Sequence, residues 1–170
     1  MVRHSLMRLV KHRCYDESDV RRALPASAMA RIEARVAGSE HGHSGEIRVC
    51  VEASLPLGWL WRGLSARDRA VSLFGELRVW DTEHNNGVLI YLLLAERAVE
   101  IVADRGINRH VAPDQWQALI DPMRQAFRDA RFEEGLDQAI AAIDGLLRRN
   151  FAINPGDKNA DELPNRPDIR

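Results

Sequence analysis

The side chains able to do chemistry crowd into one stretch. Asp81, Glu83, His84, Asn85 and Asn86 follow Val79-Trp80 and stand directly before Gly87. Each can bind a metal ion or exchange hydrogen bonds. Val88 to Leu94 then runs apolar or aromatic without a break. Such a run, bounded by turn residues, reads as a strand buried on both faces. Asp104, Arg105 and Asn108 form a second polar group after the next apolar stretch. Carboxylate, amide and backbone oxygens of this kind suit hard cations such as calcium and magnesium. Asp and Asn also make the turns before strands, and that reading stands beside the cation reading. Arg105 could clamp a phosphate as a bidentate donor. A triad of Ser44, His84 and Asp81 has no motif behind it. His41 and His43 could join His84 or Glu46 on zinc, but in a Gly-Ser loop they are expected in solvent.

These residues need elements to hold them. Leu24, Ala28, Ile32 and Val36 fall on one helical stripe, with Pro25 marking the stable start. Glu46 to Ala53 alternates: Ile47, Val49 and Val51 face one way, Glu46, Arg48, Cys50 and Glu52 the other. Ser65 caps a helix running to Val79. The turn at Ala95-Glu96-Arg97 returns the chain as a strand over Ala98–Ala103, which makes a hairpin. Two further helices begin near Pro113 and at Arg131.

The crossover from the first strand through a helix to the central strand must be right-handed and parallel. One sheet edge therefore collects Glu46, Asp81, Glu83, His84, Asn85, Asn86, Asp104, Arg105 and Asn108. The hairpin count puts Val88 near Asp104. The fold class is α/β: a three-layer α/β/α sandwich around a small mixed sheet, with a β-α-β crossover followed by a β-hairpin. The chain divides into a basic segment over 1–17, a domain over 18–151 and a flexible Pro-, Asp- and Asn-rich tail over 152–170.

Composition narrows the function classes. A net charge of −1 over 170 residues gives no bulk electrostatic support for nucleic-acid binding. Cys14 and Cys50 form no recognised pattern, so reduced thiols in the cytoplasm are the expectation. No run approaches the length of a spanning helix. The basic N-terminus could lie on a membrane surface through Leu6, Leu9 and Val10. Trp59, Leu60 and Trp61 sit on a Pro- and Gly-containing link, where they either cover the core or contact a protein partner. Cys50, Tyr91 and Trp116 read as core, and Trp80 as covering a helix end or walling the site.

Asn85-Asn86-Gly87-Val88-Leu89-Ile90, the turn at Glu96-Arg97, Val99 through Ile107, and Phe127 through Leu136 together resemble the TPM domain, over roughly Ser44 to Asn150. The family takes its name from a thylakoid-lumen phosphatase-like protein, a photosystem II repair factor and a nematode receptor modulator. The resemblance implies an α/β/α sandwich. Plant members are described as acid phosphatases and bacterial members as calcium or magnesium binders. Carried to this chain, it points to Asp81, Asn85, Asn86 and Asp104 as ligands of calcium or magnesium. It also departs from the family: Asp104-Arg105-Gly106 stands where a Gly-Tyr-Gly-like turn is common, and no signal peptide or spanning tail is read. The expectation is a short bacterial-type member, a divalent-cation-binding accessory or protein-interaction domain. The alternative is a metal-dependent hydrolase of phosphate esters. Arg105, Trp59 and Trp61 are the candidate phosphate or partner contacts.

Overall fold

The computed structural model describes residues 2–154 and 161–170. The chain opens with α1 (Val2–Arg13), α2 (Glu17–Ala23) and α3 (Ala26–Ser39). Asp16 caps α2 through a reciprocal box with Asp19. Leu24 and Pro25 separate α2 from α3, so the apolar stripe read as one helix continues across a break. Then come β1 (Glu46–Glu52), α4 (Leu57–Trp61) and α5 (Ala66–Glu76). Ser65 and Asp68 form the capping box that starts α5. The hairpin strands are β2 (Gly87–Leu93) and β3 (Ala98–Ala103). They are joined by a short 3-10 turn and by Arg97, whose φ of +51° reverses the chain. A short α6 (Arg105–Asn108), the long α7 (Pro113–Arg128) and α8 (Phe132–Asn150), and β4 (Asp168–Ile169) complete the order.

The sheet order is β3-β2-β1-β4. β1 and β2 run parallel with Glu46 opposite Gly87, as the crossover requires. β2 and β3 are antiparallel with Val88 opposite Ala103, one residue from the sequence count. One sheet face buries Ile47, Val49, Val51, Val88, Ile90 and Leu92 against helices α2, α3, α7 and α8. The other packs Cys50, Leu89, Tyr91 and Leu93 against α5, with Leu60 of α4 and Leu9 of α1. Each fully buried aliphatic side chain contributes about 1.5–3 kcal/mol relative to exposure. The layers are thus helix, sheet, helix.

Both segments set apart by composition pack on this body over their described residues. The segment 1–17 holds α1. In the tail, Leu163 is buried and Cys50 and Val51 pair with Asp168 and Ile169. The Arg48 guanidinium donates to the carbonyls of Pro164 (2.5 Å) and Arg166. Loose packing is therefore the wrong description for 161–170. A partner strand and a buried arginine hold it, and neither is visible in local composition. Residues 155–160 of that tail lie outside the described residues.

Candidate functional site

The edge where β1 and β2 begin is built by three loops. Residues 81–86 enter β2, Asp104 leaves β3, and Ser39 to Gly45 leads into β1. Gly87 and Gly106 allow the close approach. A Cβ on Gly87 would meet the Val79 carbonyl at 1.9 Å, and one on Gly106 the Asn85 carbonyl at 2.4 Å. Asn85 sits at φ +53°, a region Asn tolerates better than most residues.

The side chains read from the sequence take several roles here. Asp81 is exposed. The Arg105 guanidinium donates to Asn85 Oδ1 (3.1 and 3.0 Å), which holds that amide oxygen against a cationic neighbour. Asp104 Oδ1 accepts from the Arg105 N–H (2.6 Å) and caps α6. Asn86 is fully buried, and its Nδ2 donates to Ser44 Oγ (3.1 Å). Two buried oxygens of this set, Asn86 Oδ1 and Asp104 Oδ2, accept no hydrogen bond among the described residues.

The same edge carries a second group. Glu40, Glu46 and Asp161 each offer a carboxylate oxygen, and the three oxygens lie within 4.8 Å of one another. Glu46 is only 1% exposed. Burial pushes its carboxyl up to about 7, with neighbouring Asp161 and Glu162 adding to the rise. Backbone N–H groups of Glu162 and Leu163 work in the opposite direction. Burial, together with Glu46 and Asp161, pushes Glu40 up to about 8, against a hydrogen bond from Asn165. Glu162 also accepts the Glu83 N–H (3.0 Å), tying the tail to the loop that enters β2. Glu46 was placed on this edge by topology. Glu40 and Asp161 were missed: one closes a helix, and the other lies in a tail whose return to the sheet leaves no local pattern. The acidic pair Asp161-Glu162 beside the apolar Leu163 was the available signal.

The remaining candidates separate. His41 is exposed, but His43 is fully buried, facing Asp144 (3.3 Å), so its expected place in solvent is wrong. Burial lowers its imidazole below the usual value. The zinc set is not assembled: the only three-residue group of His, Cys, Asp and Glu donors among the described residues is the acidic one. The Trp59–Trp61 link is the helix α4, and it divides its aromatics. Leu60 is buried, Trp59 is half-buried with Arg69 over its ring at 5.3 Å, and Trp61 is 77% exposed. Tyr91 and Cys50 are core as expected, and Trp116 packs partly buried against it. Trp80 is 52% exposed rather than packed. Burial drives the Cys50 thiol far above its ordinary value, which leaves it inert as a nucleophile.

An α/β/α domain with an oxygen-lined loop edge is the class this geometry defines. The TPM domain model matches residues 18–146, so the chain belongs to the TPM domain family. Among solved structures, the NMR structure of BA42 protein from the psychrophilic bacterium Bizionia argentinensis is similar at a TM-score of 0.75 and 29% identity, covering 86% of this chain and 95% of that one. No curated protein matches the sequence. Among the described residues, no helix is long and apolar enough to cross a membrane.

Proposed function

We propose that this chain is a divalent-cation-binding accessory domain that acts through a protein partner, with calcium or magnesium as the ion. The observation that carries this reading is the convergence of Glu40, Glu46 and Asp161 oxygens within 4.8 Å at the loop edge. The donor set is all oxygen and acidic, which suits a hard cation. A bound ion would supply the positive charge that lets these carboxylates ionise together, and through Asp161 it would fasten the tail to the sheet. Asp104 Oδ2 and Asn86 Oδ1 support a second cation position drawn from the sequence-read set of Asp81, Asn85, Asn86 and Asp104. In that set Asn85 serves by holding Arg105. Two free cysteines suit a cytoplasmic location, which is part of the same reading.

Calorimetric and amide-NMR titration of metal-free protein with calcium and magnesium tests the proposal. Saturable binding with shifts at Glu40, Glu46 and Asp161 is expected. It should strengthen as pH rises from about 6 to about 8, because the ligands must lose their protons first. Glu46→Gln should abolish it, and Asp104→Asn should remove only shifts near Asp104. Absence of saturable binding at millimolar ion would overturn the cation reading. The phosphatase alternative draws on Arg105, and release of phosphate from a generic ester, lost in Arg105→Ala, would revive it.

A further inference from the structure

The first helix leaves most of its large apolar side chains outside. On α1, Arg8 and His12 face the body. Arg8 Nε donates to Glu96 Oε1 (2.6 Å), and Arg8 Nη2 donates to the Leu64 carbonyl (2.8 Å). His12 is 2% exposed. The Leu55 N–H donates to its Nδ1 (3.0 Å), which leaves Nε2 to donate to Glu96 (3.0 Å). Of the apolar residues, Leu9 packs partly buried against the core rather than joining a surface face, whereas Leu6 is 62%, Met7 74% and Val10 59% exposed. A helix that served only to cover the core would bury those side chains and leave its cations in water. Helix α4 packs against α1. It too leaves large apolar side chains outside, with Leu57 54% and Trp61 77% exposed.

Charge selects what this surface meets. Residues 1–15 and 53–67 contain no Asp or Glu, but contain Arg3, Arg8, Lys11, Arg13, Arg62 and Arg67. Arg8 is paired with Glu96 and Arg67 with Glu100, so the charge this surface presents outward comes from the other cations. Lys11, Arg13 and Arg62 are exposed. A leucine, methionine and tryptophan face flanked by lysine and arginine is the composition of a helix lying in a lipid headgroup layer. Tryptophan favours that boundary because its ring is apolar and its N–H polar.

We propose that α1 and α4 form a docking surface for an anionic lipid bilayer, inserting Leu6, Met7, Val10, Leu57 and Trp61 while Lys11, Arg13 and Arg62 meet the headgroups. Arg8 and His12, locked to Glu96 and to the backbone at Leu55 and Leu64, brace α1 so that this face stays outward.

The test uses the full chain and sucrose-loaded vesicles. Co-sedimentation is expected with phosphatidylglycerol–phosphatidylcholine vesicles and not with phosphatidylcholine alone, and it should weaken as salt shortens the screening length. Removing Lys11 and Arg62 together (Lys11→Ala, Arg62→Ala) should weaken binding about 25-fold, at roughly fivefold per cation. Trp61→Ser with Leu6→Ser should weaken it at least tenfold. Both double variants alter exposed side chains, so circular dichroism and Tm should stay unchanged. A blue shift of tryptophan emission on vesicles should vanish in Trp61→Phe while sedimentation persists. No binding to anionic vesicles, or equal binding by the variants, would overturn the proposal. So would concentration-dependent self-association lost in Trp61→Ser without vesicle binding, which would assign the surface to a second copy.

Discussion

Glu46 and Glu52 stand at opposite ends of β1 on the same sheet face, at 1% and 3% exposure, and they live in opposite surroundings. Glu52 is answered. Arg69 of α5 donates to it from Nε (3.2 and 3.1 Å) and Nη2 (2.9 Å), and the Tyr91 hydroxyl donates to Oε2 (2.6 Å). Arg69 in turn reaches Glu76 (3.1 Å) and lies over Trp59. Glu46 has acids for neighbours: Glu40, Asp161 and Glu162. Burial is nearly equal, and what differs is the partner: a guanidinium and a hydroxyl at one end, carboxylates at the other. The Glu52 end is a closed ion pair whose charges are spent on each other. The Glu46 end gathers acid, and a proton or a bound cation would relieve it.

Substitutions can break this contrast from either side. The largest effect is expected from Arg69→Ala, which leaves Glu52 buried without its cation and should cost about 3–5 kcal/mol in chemical denaturation. Next comes Glu46→Gln. Burial raises the folded-state pKa of Glu46 from 4.5 to about 7. The folded state therefore holds a proton that the unfolded chain releases, and metal-free stability should fall as pH rises from about 4.5 through about 7. Glu46→Gln should remove its own share of that fall and leave the share of Glu40, whose carboxyl burial pushes up to about 8, raising stability near pH 8 by on the order of 3 kcal/mol at most. Glu52→Gln should show no such gain, and a gain there would erase the difference between the two ends. Saturating calcium should flatten the same slope in the natural protein.

Smaller changes sharpen the picture at the closed end. Tyr91→Phe removes a hydrogen bond to a charged group and should cost about 2 kcal/mol, read as a shifted denaturant midpoint. Trp59→Leu keeps apolar cover but loses the ring under Arg69, and about 0.5–1 kcal/mol should go with it.

Much of the fold was legible because its signals are local. The unbroken apolar run named β2, alternation named β1, and the short turn at Arg97 named the hairpin, to within one residue of register. Topology alone put Glu46, Asn86 and Asp104 on one edge. Pairings that span the chain were not legible. Arg69 falls one position before Ala70 and four before Leu73, so it lies on the buried stripe of α5, but only the register of α5 over β1 makes it Glu52's partner. Asp161 reaches Glu46 because the tail returns beside β1, and its composition says the opposite. α1 is amphipathic in sequence, yet only Leu9 of its read apolar face packs inward, and Leu6 and Val10 stay outside.

β4 has a bearing on how the protein behaves when shortened. Without Asp168–Ile169, β1 would be the border of the sheet, with Cys50 and Val51 offering backbone groups to any passing strand. Native proteins guard such borders because they seed aggregation. The last residues thus serve as a selvedge on the weave. A protein clipped before Asp161 would enter solution with a raw, sticky margin, and its first failure would be precipitation rather than unfolding.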